Sequence, residues 1–108
     1  MTAVIPLACA PGAISASERA AHFLLIKELF GSQRPEERDD GFEFTFPASD
    51  VERVARFMAN ERKCCPFLRI ELVSRPGEDQ IYLLLSGPPG TRGFLSSELE
   101  LQRCGCEQ

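Results

Sequence analysis

The sequence predicts an α+β domain: a two-layer sandwich with helices on one face of a mostly antiparallel sheet of roughly three or four strands. Three observations carry that expectation. Helical and two-residue periodicities alternate along the chain in the order helix, strand, helix, strand, strand, helix. A short polar turn separates the last two strands, which therefore read as a hairpin. A strand–helix–strand unit followed by a hairpin is the split βαβ, ferredoxin-like arrangement, with a right-handed crossover.

The elements follow in order. Ile5 to Cys9 is a short apolar segment, read as an edge strand, that stops at Pro11 and Gly12. Ser15 precedes Glu18 by three residues, the spacing of a capping box, and opens a helix over 16–30. Ala20, Phe23, Leu24 and Lys27 share one face of it; Ile26, Leu29 and Phe30 widen the apolar side, and Gly31 marks the stop. Residues 32–41 are charged, carry Pro35, and read as a surface loop. Phe42, Phe44 and Phe46 then alternate with Glu43 and Thr45, the period of a half-buried strand ended by Pro47.

Ser49 and Glu52 repeat the capping-box spacing. The helix behind them carries Val51, Val54, Ala55, Phe57 and Met58 and runs to about Lys63, because Pro66 disfavours helical geometry at Cys65. Phe67 to Val73 alternates, with Leu68, Ile70 and Leu72 on one face. Ser74 to Asp79 is a turn, and Ile81 to Leu85 is almost wholly apolar, as in a central strand. Whether the Phe42 strand pairs with the Ile81 strand or the Phe67 strand stays open. After the break at Gly87-Pro88-Pro89-Gly90, a last helix over 91–101 is anchored by Phe94, Leu95 and Leu99. Residues 1–102 read as one domain, and 103–108 as a flexible tail carrying cysteines.

Composition narrows the function classes. A chain of 108 residues that is 44% hydrophobic is long enough for one core and too apolar for a disordered chain. Its net charge of -4 gives no general pull toward nucleic acid or an anionic membrane. No apolar run approaches the ~18 residues of a membrane-spanning helix. The first ten residues hold no basic residue and are broken by Pro6, unlike a secretory signal, so a cytoplasmic location is expected. The five cysteines are then expected to be reduced, and their odd number fits a closed disulfide framework poorly.

The chemistry lies in those cysteines. Cys64 and Cys65 are adjacent at a helix end, where neighbouring Cα atoms about 3.8 Å apart are too close for an unstrained disulfide. The pair suits one thiophilic ion held by two thiolates, or two different partners; equally, one or both pack as small apolar side chains. Phe57, Glu61 and Cys64 follow at spacings of four and three, so Glu61 lies within a turn of both thiols. There it completes a metal site or takes a thiol proton, unless it merely reaches water or pairs with Arg62 or Lys63. A helix C-terminus raises a thiol's pKa, which favours metal capture over a standing thiolate nucleophile.

Glu61-x-x-Cys64-Cys65-Pro66-Phe67, with an alternating strand after it and Gly87-Pro88-x-Gly90 before Phe94-Leu95, resembles a family of small uncharacterised bacterial proteins found beside heavy-metal or mercury-responsive genes. The likeness spans residues 5–95. It includes an early Pro-x-x-Cys-like segment, here Pro6 to Cys9. The resemblance supplies no activity, but implies that Cys9, Cys64 and Cys65 belong to one pattern. If the segment of Cys9 forms an edge strand reaching the end of the second helix, three thiols meet there; otherwise Cys9 is a lone thiol. Cys104 and Cys106 lie outside the likeness. Their C-x-C spacing binds a soft ion in bidentate fashion and passes metal to Cys64 and Cys65, or is an exposed thiol pair without a role.

Other constellations are weaker. His22, the single histidine, reads as a surface or packing residue more readily than as a Cys–His catalytic partner. The stretch from Gly87 to Gly93 lacks the lysine of a phosphate loop and reads as a strand-to-helix turn. The expected function is thus a cytoplasmic thiolate site for a soft metal or metalloid (Hg, Cu(I) or Zn), formed by Cys64, Cys65, Cys9, Glu61, Cys104 and Cys106. Its partners would be a metal ion or a small thiol, with homodimerisation open. A thiol redox or transfer enzyme and an interaction module with structural cysteines remain as alternatives.

Overall fold

The computed structural model describes residues 10 and 12–99. Helix α1 spans Ala16–Phe30, strand β1 Glu36–Arg38, strand β2 Gly41–Pro47, helix α2 Val51–Cys64, strand β3 Arg69–Ser74, strand β4 Gln80–Ser86 and helix α3 Thr91–Glu98. The four strands form one sheet in the order β1-β2-β4-β3, and every neighbouring pair is antiparallel. Strands β2 and β3 therefore run parallel on either side of β4, the split βαβ arrangement, and the open pairing question resolves in favour of the Ile81 strand.

The register builds the core. Phe42 faces Leu85, Phe44 faces Leu83 and Phe46 faces Ile81 across β2 and β4. These side chains are buried on one sheet face, together with apolar residues of all three helices. Phe30 of α1 meets Phe44 edge-on at 4.8 Å and Phe57 of α2 at 4.9 Å. The opposite face presents Glu43, Thr45, Glu71, Val73, Tyr82 and Leu84, exposed or half-buried. At the end of β2, a β-carbon on Gly41 would lie 1.8 Å from the Leu85 carbonyl oxygen, so the strands approach there only because no side chain intervenes. No helix among the described residues is long and apolar enough to cross a membrane.

Several expectations are corrected. The charged loop at 32–41 contains β1, a three-residue edge strand whose Arg38 pairs with Glu36 and Glu43; side chains that all face water hide the two-residue period. Helix α1 buries His22, Leu25, Ile26, Leu29 and Phe30, while Phe23 and Leu24 are exposed. Apolar residues surround this helix, so periodicity alone does not choose its inner face. Its capping box forms as expected: the Ser15 N–H donates to Glu18 at 2.9 Å and the Glu18 N–H to Ser15 Oγ at 3.1 Å. At Ser49 no such box forms. A 3-10 turn over Ala48–Asp50 leads into α2, and Val51 is exposed. The edge strand read at 5–9 and the tail at 103–108 lie outside the described residues.

Candidate metal centre

Helix α2 turns Val54, Phe57 and Glu61 inward, and all three are fully buried. Spacings of three and four keep them on one stripe, so the apolar face carries the carboxylate inward with it. The helix ends at Cys64. Cys65 caps it with a non-helical backbone, and its N–H closes the last turn on the Glu61 carbonyl at 2.8 Å. Pro66 cannot continue the helix. Cys65 is fully buried and Cys64 half-buried. Into the same corner α1 brings His22 and α3 brings its last residue, Glu98.

Glu61 Oε1 lies 2.8 Å from His22 Nε2, and both residues are buried. A carboxylate only accepts, so with Glu61 ionised it is Nε2 that carries the proton. The imidazole stacks on Phe57, ring centroids 5.6 Å apart. Glu61 Oε2 and His22 Nδ1 are buried without a hydrogen-bond partner. The Cys65 thiol donates to the Glu98 carboxylate, with Sγ 3.5 Å from Oε2. Glu61, Cys65 and Glu98 each offer one donor atom, and the three atoms lie within 4.8 Å of one another.

The corner gathers negative groups, which Arg19 and Lys63 oppose. The C-terminal ends of α2 and α3, which carry partial negative charge, converge on it, and two carboxylates stand between them. Burial first, and then the charges of Glu61 and Glu98, push the Cys64 thiol above its ordinary pKa, against the opposing pull of Arg19 and Lys63. Left alone, such a thiol holds its proton at neutral pH. A bound cation inverts that balance by deprotonating the sulfur it coordinates.

Of the residues singled out in the sequence, the structure brings Glu61 and Cys65 together and keeps Cys64 beside them. Glu61 pairs with His22, not with Arg62, Lys63 or water, because α2 buries that position completely. His22 does pack in the core, but with a carboxylate partner that no local pattern announced. Cys9, Cys104 and Cys106 lie outside the described residues. The residue after Cys9 bears on the question: the Ala10 N–H donates to the Cys64 carbonyl at 2.6 Å, so the chain enters this corner. Sequence reasoning missed Glu98, whose only signal is its place at the end of the last helix. No protein-family model, no curated protein and no solved structure matches the chain.

Proposed function

We propose that the protein binds a thiophilic metal ion at the corner where α2 and α3 end, through Cys64 and Cys65 with Glu61 and with Cys9. One observation carries the reading: a buried thiol and two carboxylates whose donor atoms all lie within 4.8 Å of one another. Buried carboxylates are costly unless paired or bound to a cation. The His22 hydrogen bond orients Glu61 as outer partners orient metal ligands. The Ala10–Cys64 contact supports including Cys9, and the reduced thiols that the site requires fit the cytoplasm.

A thiol redox or transfer enzyme has the opposite needs, an accessible sulfur of lowered pKa. Cys65 is buried, and Cys64 is shifted upward. Titrating the reduced protein with Zn(II), Cu(I) and Hg(II), while following thiolate-to-metal absorbance, tests the metal reading. Stoichiometric binding is expected, weakened strongly by Cys64→Ser with Cys65→Ser and more mildly by Cys9→Ser. Equal binding by the double variant and the parent ends the proposal.

A further inference from the structure

Resting on that reading, we infer that the site selects a borderline divalent ion of the Zn(II) type over Cu(I), because one oxygen each of Glu61 and Glu98 joins Cys65 Sγ as donors beside the second thiol. The adjacent thiols by themselves suggest a purely sulfur site, the preference of the softest ions. The structure adds two hard oxygens. Carboxylates contribute little to an ion that is satisfied by two sulfurs, but are ordinary ligands of zinc beside thiolate.

Three features converge on this choice. Glu61 is fully buried, one oxygen held by His22 and the other without a hydrogen-bond partner. A buried carboxylate oxygen of that kind is satisfied by a cation. Glu98 reaches the same sulfur from a different helix, so the oxygens approach Cys65 from two elements. Charge supports the same conclusion. Glu61, Glu98 and a thiolate bring three negative groups to a corner that Arg19 and Lys63 also approach, and a divalent ion offsets such a group of anions better than a monovalent one. A second thiol beside these three donors completes the four-ligand set that zinc takes with mixed sulfur and oxygen ligands.

Cobalt(II) is the probe, since it takes the zinc geometry and reports its ligands by colour. The reduced full-length protein is titrated with Co(II), displaced with Zn(II), then challenged with chelator-buffered Cu(I). Expected are a sulfur-to-cobalt charge-transfer band that Cys65→Ser strongly weakens, and stoichiometric displacement by Zn(II). Glu98→Gln and Glu61→Gln should each lower Zn(II) affinity about tenfold or more, the scale of changes at or near metal ligands, while leaving Cu(I) affinity essentially unchanged. Glu98 is half-buried at a helix end, so its variant keeps the test open should the Glu61 variant fold poorly. Zn(II) affinity indifferent to both carboxylates, or Cu(I) displacing Zn(II) from the same thiols, overturns the selectivity. Failure of Zn(II), Cu(I) and Hg(II) alike to bind overturns the metal reading beneath it.

Discussion

The contact between β2 and β4 and the corner at the ends of α2 and α3 are parts of one buried interior with opposite chemistry. Between the strands, Phe42, Phe44 and Phe46 meet Leu85, Leu83 and Ile81, and every buried side chain is apolar. At the corner, His22, Glu61 and Cys65 are as thoroughly buried, yet two polar atoms there lack a hydrogen-bond partner. Burial stabilises the first region at about 25 cal/mol per Å² of apolar surface. It taxes the second, because an unsatisfied buried polar group costs about 1–3 kcal/mol. Stability is generated in the sheet and spent at the helix ends.

Substitutions separate the two. Phe44→Ala should have the largest effect, a loss of about 3–5 kcal/mol on urea unfolding, since it removes a ring at the centre of the aromatic cluster. Gly41→Ala comes next, at about 1–3 kcal/mol or more, because its β-carbon collides with the Leu85 carbonyl and must push β2 off β4. Exchange protection of the β2–β4 amides should fall with it. Glu61→Gln keeps an acceptor for His22 and sheds a buried charge. Its metal-free stability should therefore stay within about 1 kcal/mol of the parent or rise, while any metal-dependent gain in Tm shrinks. A loss as large as that of Phe44→Ala would show that the corner is structural after all.

The pH responses of two groups sharpen the contrast with the smallest effects. Burial raises the Cys64 thiol, so its alkylation midpoint should lie above the free-thiol value of about 8.5. Because the folded pKa exceeds the unfolded one, this group leaves stability intact below the ordinary thiol range and erodes it as pH climbs from there through the folded value. Glu18 behaves in the opposite way. The Ser15 backbone N–H, followed by its hydroxyl, lowers the carboxyl, so its contribution is complete above the ordinary carboxylate value and fades as pH falls through the lower folded one. Ser15→Ala should remove about 1 kcal/mol of cap stabilisation, read by thermal unfolding.

The sheet interior was legible because a two-residue period needs only the residues themselves. Phe42, Phe44, Phe46 and the Ile81–Leu85 run declare their strands whatever they pair with. The stripe of Val54, Phe57 and Glu61 was legible for the same reason, and it put the carboxylate beside the thiols. Helix α1 was not, since Phe23 and Leu24 are as apolar as Leu25 and Ile26, and only the tertiary partner decides which pair is buried. Strand β1 was hidden because an edge with three exposed charged residues carries no alternation. Glu98 and the pairing of His22 with Glu61 were missed because the contacts concerned, Glu98 with Cys65 and His22 with Glu61, join residues 33 and 39 positions apart.

The place of β4 has a consequence for how the chain assembles. Strands β2 and β3 are made first but do not touch each other; the strand that joins them is the last of the four. A nascent chain that has emerged only as far as residue 75 holds two strand edges with the gap for β4 still empty, and their apolar face cannot close. Strand β1 can pair with β2 early, but joining that hairpin to β3 must wait for Gln80–Ser86; the turn after β3 then folds β4 back into the gap, where it registers against both neighbours together. Folding should therefore be concerted and late, with the long-range closure of β2 on β4 setting its rate.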